Sequence, residues 1–183
     1  MTPAQYAEQA VARLAGFGIP IRAGLTPAEL GRLETELGCR FCPVHRALLA
    51  AGVPHGTGWP DWRGERSRLD RQLAAPLDGV LFDVVENGLW PTGWASRPAE
   101  PGAAARLARR ELARVPRLLP LYRHRYLPAA PAPEPTPVLS VVQGDVITYG
   151  IDLLDYLERE FGGRRAPVPA AARVPFWSEL GDS

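Results

Sequence analysis

Residues 137–161 read PVLSVVQGDVITYGIDLLDYLEREF. Two short runs, 137–143 and 145–149, are rich in β-branched residues and are parted by Gly144, the pattern of an antiparallel hairpin. Gly150 and Asp152 then hand over to a helix whose Leu153, Tyr156, Leu157 and Phe161 share one face, and Gly162-Gly163 ends it. A lone hairpin is marginal in water, so these strands must join a sheet on which the helix packs. The stretch sets the expected class as α+β, with N-terminal helices on a central, mainly antiparallel sheet and a closing C-terminal helix.

Upstream, 118–128 reads LLPLYRHRYLP, whose first half alternates well enough for a strand over 118–122, and AAPAPEPTP at 129–137 fits only an extended loop. Residues 102–115 place Leu107, Ala108, Leu112 and Val115 at helical spacing and stop at Pro116. The run GVLFDVVE at 79–86 is β-branched and aromatic and predicts a buried strand, preceded by a brief helix over 66–74. The expected sheet is thus 79–86, 118–122, 138–143 and 145–149.

Thr2-Pro3-Ala4-Gln5 and Thr26-Pro27-Ala28-Glu29 both have the form of a capping box with proline at the first helical position, so a helix opens at each. In the second, Leu30, Leu33 and Leu37 form one face and Gly38 supplies the stop; 43–51 is a third, short helix closed by Gly52. The organisation that follows is a helix and lead-in over 1–24, a main domain over 25–161 and a Pro/Ala/Arg-rich tail over 162–183, with Phe176 and Trp177 suited to docking.

The 183 residues carry 21 basic and 20 acidic side chains, and every basic one is arginine. A net charge of +1 gives no global attraction to polyanions. Seven arginines between 106 and 125 face only Glu111, interleaved with Tyr122 and Tyr126, which resembles a nucleic-acid strip. The acidic stretch 145–160 compensates it, and no nucleic-acid partner is expected. No leader-like opening and no long apolar run is present, so the expectation is a cytoplasmic protein without a membrane partner.

Catalysis would need His124 as base and Asp145 as its orienter, but no nucleophile turn or phosphate cradle accompanies them. Cys39 and Cys42 have a zinc-knuckle or dithiol spacing, yet no second ligand pair stands at a workable distance in sequence. They read as small core residues, and no catalytic residue, metal or cofactor is expected. The loops 52–64 and 87–97 hold Trp59, Asp61, Trp62, Trp90 and Trp94; with Asp145 they form the candidate partner-binding set. Tyr122, His124, Arg125 and Tyr126 read as a scaffold that knits the sheet together.

The stretch LTPAELGRLETELGCRFCPVHRALLAAG (25–52) resembles the opening of the SMI1/KNR4 (SUKH) superfamily. PLYRHRYLP (120–128), followed by the hairpin and closing helix, resembles the later part of its bacterial members, and WPDWR and FDVVENGLW resemble the actinobacterial-type branch. The resemblance spans roughly 25–161. It implies a non-enzymatic binding protein, an immunity protein that neutralises a cognate bacterial toxin by stoichiometric occlusion. The alternative it allows is a cytoplasmic regulator or small-ligand receptor that uses the tryptophan loops as an aromatic pocket.

Overall fold

The computed structural model describes residues 2–182. Helix α1 (Pro3–Gly16) and helix α2 (Pro27–Leu37) each begin with a complete capping box, Thr2 with Gln5 and Thr26 with Glu29. Gly38 ends α2 at φ 65°, a left-handed conformation in which glycine carries no Cβ penalty. Helix α3 (Pro43–Ala51) follows a short strand, β2 (Arg40–Phe41). Two-residue strands β1 (Ile21–Arg22) and β3 (Val53–Pro54) pair antiparallel and staple the lead-in to the end of α3.

The main sheet runs β2-β5-β6-β7, with β4 (Leu118–Tyr122) also paired to β5 (Arg125–Ala130). Strands β6 (Val138–Val142) and β7 (Asp145–Gly150) are the expected hairpin, with Val142 opposite Asp145 and Ser140 opposite Ile147. All pairings are antiparallel, so the class is α+β. Paired residues share a face. Leu139, Val141, Val146, Leu118 and Tyr126 lie in one core with helix α5 (Pro101–Leu112), while Leu121, Leu127 and Val138 lie in another with α1 and helix α6 (Leu153–Glu160). A third cluster joins α2 and α3 to the edge of the sheet through Leu30, Leu33, Phe41, Leu119 and Ala129.

Residues 79–86 are not a strand. They complete helix α4 (Arg66–Glu86), whose buried Leu69, Pro76, Val80 and Val84 recur at intervals of seven, four and four. That is a helical stripe, and a continuous apolar run does not by itself distinguish it from a buried strand. Pro76 sits inside the helix without an N–H, which leaves the carbonyl of Gln72 without its usual donor. The hydroxyl of Tyr126 donates to that oxygen at 3.4 Å, pinning the middle of α4 to β5. Gly79, which resembles a strand boundary, is a packing notch. A Cβ there would stand 2.8 Å from Cα of Gln143 in the hairpin turn.

The sheet instead includes β5, a strand not among those expected, which lies between β4 and β6. The lead-in is built into the body: Ala7, Ala10 and Leu14 are buried, Tyr6 accepts from the amide of Leu154, and Arg13 pairs with Glu158 at 3.0 Å. At the other end, helix α7 (Trp177–Leu180) brings Val174, Trp177 and Leu180 into the core beside α4, and the indole of Trp177 donates to the carbonyl of Pro116 at 2.7 Å. No helix among the described residues is long and apolar enough to cross a membrane.

Candidate functional site

The two tryptophan loops part company. Trp59 is buried against Tyr122 and Phe161, at ring-centre distances of 4.8 and 5.9 Å. Trp62 is buried edge-on to Phe41 at 5.2 Å and to His45 at 5.7 Å. Both stood in the candidate partner set, and both are core residues. The loop is drawn inward by Arg63, which pairs with Glu29 at 2.7 Å and donates to the carbonyls of Ala23 and Gly24. That arginine, with the capping amide of Thr26, lowers the Glu29 carboxyl to about 2. Asp61 is exposed and accepts from the amide of Arg63, holding the turn.

In the second loop, Trp90 and Trp94 are half-buried and stand edge to face at 5.2 Å. Arg97 organises them. Its guanidinium donates to the carbonyl of Val84, in the last turn of α4, and to that of Gly88 just beyond the helix, and lies over the Trp90 ring at 5.4 Å. The Trp90 indole donates to the carbonyl of Ala95, fixing its plane. Trp94 stacks on Phe176 with ring centres 6.1 Å apart and an interplanar angle of 8°.

The β6–β7 turn seats on α4 next to this loop. Asp83 accepts from the amide of Gly144 at 2.7 Å and from the side chain of Asn87 at 2.6 Å. Leu89 packs against Gly144, where a Cβ would come within 2.8 Å of its Cδ2. Phe82 and Val85 on α4 and Val142 at the hairpin end are each about half exposed, at 49, 49 and 51%. Asp145, opposite Val142, is exposed. Phe82 and Val85 fall on the outer face of α4, off the buried Val80–Val84 stripe, and Val142 stands next to buried Val141 at the end of β6.

The scaffold set divides as well. Tyr122 and Tyr126 are buried, and burial raises the Tyr126 phenol to about 12. Arg125 is the residue that knits: it pairs with Glu160 at 3.2 Å, donates to Ser140 Oγ at 2.9 Å and lies 3.8 Å over Tyr149. His124 is exposed in the β4–β5 turn, and its backbone carbonyl accepts from Val141. It does not supply the buried tie expected of it. Partial burial and the neighbouring Arg125 lower its pKa.

No group of three His, Cys, Asp or Glu side chains among the described residues could hold a metal ion. Cys42 is buried and Cys39 partly so, and burial raises both thiols, Cys42 to about 11. Thiols held protonated in this way are poor nucleophiles at neutral pH.

Sequence reading missed Phe82, Val85 and Val142. The first two are legible once α4 is read as a helix, because they fall off the Val80–Val84 stripe onto the outer face. No family model, no curated protein and no solved structure matches this chain.

Proposed function

We propose that this chain is a non-enzymatic protein-binding module that acts by covering its partner's surface, in the manner of bacterial immunity proteins of the SMI1/KNR4 kind. One observation carries the reading. Among the described residues, the large hydrophobic side chains that are about half exposed, Phe82, Val85, Val142 and Ile147, all belong to α4 and the β6–β7 hairpin, two elements clamped together at the turn. Large apolar side chains left exposed on two elements that are clamped together mark an interaction surface more often than ones scattered over a whole fold do. The resemblance of 25–52 and 120–161 to that superfamily points the same way and supplies the partner class, a protein toxin made by the same or a related strain.

The test is reconstitution with the secreted toxin-like protein encoded next to this chain's gene. The expected result is a 1:1 complex by light scattering that abolishes toxin activity at molar equivalence. Phe82→Asp and Val142→Asp each weaken it by about thirtyfold, the equivalent of about 2 kcal/mol, with unchanged circular dichroism and melting. A toxin that is neither bound nor inhibited, or variants that bind like the wild type, would overturn the reading.

A further inference from the structure

Between the β1–β3 pair and the loop that follows it is a cleft of about 60 Å³, with Arg22, His55, Gly56, Trp59, Asp61 and Arg63 among its lining residues. We propose that this cleft is a subsite for a carboxylate group.

A buried donor without an acceptor carries the inference. Trp59 is only 5% exposed and packs against Tyr122 and Phe161. The indoles of Trp90 and Trp177 each donate to a carbonyl, but that of Trp59 meets no acceptor among the described residues. A tryptophan packed this deeply ordinarily finds one. Its nitrogen is not sealed in the core as His45 Nδ1 and Tyr156 Oη are, and the cleft is the surface that Trp59 lines. The neighbouring groups are donors as well. The side chains of Arg22 and His55 make no ion pair or hydrogen bond among the described residues, and the amide of Gly56, at φ 118°, has no acceptor there either. Asp61, the one carboxylate in the lining, already accepts from the amide of Arg63. A ligand in this cleft therefore has to bring the acceptors.

Charge and size select the kind. Arg63 is engaged by Glu29 and by the carbonyls of Ala23 and Gly24, which leaves Arg22 as the lining cation without a partner, set against Asp61. That balance suits one negative charge and opposes the nearly double charge of a phosphate monoester at neutral pH. A space of about 60 Å³ is far below the ~300 Å³ at which pockets for whole drug-sized ligands begin, so it takes one group of a larger molecule or a very small acid. The planar fork of a guanidinium matches the two oxygens of a carboxylate.

The same group is presented by an acidic side chain of a protein partner and by a free carboxylic acid, and the test separates these sources. N-acetylglutamate amide, propionate and inorganic phosphate are titrated into the full chain and followed by the assigned indole N–H signals in NMR. The expected result is saturable millimolar binding of the glutamate compound that moves the Trp59 signal and leaves that of Trp177 in place. It weakens about tenfold for the uncharged N-acetylglutamine amide and about tenfold in Arg22→Gln, with Arg22→Lys, which keeps the charge without the fork, falling between. Tighter binding of the glutamate compound than of propionate assigns the group to a protein partner, and the reverse order assigns it to a free acid. Equal binding of the glutamine compound, tighter binding of phosphate, no saturable shift of Trp59, or an Arg22→Gln variant that stays folded and binds like the wild type overturns the subsite. The cleft shares no residue with α4 or the β6–β7 hairpin, so a toxin that fails to bind there removes the partner-binding reading and leaves the subsite standing.

Discussion

The loops 55–64 and 88–97 each set two tryptophans among glycines and prolines and each is anchored by an arginine, yet one buries its rings and the other displays them. The difference lies in where the arginine finds its acceptors. Arg63 reaches Glu29 and the carbonyls of Ala23 and Gly24, ahead of α2, and pulls its loop into the gap between helices and sheet. Arg97 reaches the carbonyls at the end of α4 and lays its loop over the outside of that helix. Tryptophan content therefore does not tell whether a loop buries its rings; the position of the anchoring acceptors does.

The comparison breaks most easily at the buried loop. Trp62→Ala and Trp59→Ala should each cost about 3–5 kcal/mol in urea unfolding, the usual penalty for truncating a large aromatic in a packed core. A loss under about 1 kcal/mol would show that the rings do not carry the core.

His45 sharpens the contrast through pH. Wholly buried between Phe41 and Trp62, with no hydrogen-bond partner at Nδ1 among the described residues, it has its pKa pushed down to about 3 by burial. The unfolded chain, at about 6.5, takes up the proton first on acidification. This residue's contribution is intact above about pH 6.5 and drains away as pH falls toward about 3, by up to about 1.4 kcal/mol per pH unit. His45→Leu should flatten that part of the stability–pH curve; an equally steep curve in the variant would remove His45 as the cause.

The smallest effects belong to the displayed residues. Trp94→Ala should cost about 1 kcal/mol or less in stability while weakening partner binding, and His124→Ala should stay within about 0.5 kcal/mol of wild type. Differential scanning calorimetry beside a binding assay measures both. A large drop in melting temperature for Trp94→Ala would make the second loop a core element like the first.

Much of the scaffold was legible because its signals are local. Capping boxes, the Gly38 stop, the 137–161 hairpin and its helix depend on residues within a few positions of each other. Two elements were not. GVLFDVVE has an apolar content that fits strand or helix alike, and its helical period emerges only when Leu69 and Pro76 are counted with Val80 and Val84. Strand β5 contains Pro128 and two alanines, poor strand residues, and is held by neighbours on both sides. The burial of Trp59 and Trp62 escapes sequence reading for the same reason. Whether a loop tryptophan faces inward depends on contacts such as Arg63 with Glu29, 34 residues apart, which no local pattern reveals.

Pro76 has a wider consequence for the proposed surface. Because it frees one carbonyl in the middle of α4, Tyr126 can bond the helix at one position along its length. A second position is fixed by the notch at Gly79, which admits the hairpin turn. Sliding α4 by a single turn, about 5.4 Å, would lose the phenol's acceptor and drive a side chain into Gln143. The helix is keyed in register like a bolt with two teeth, so Phe82 and Val85 on its outer face hold one position along the hairpin, and a partner encounters side chains that need no rearrangement before they are bound.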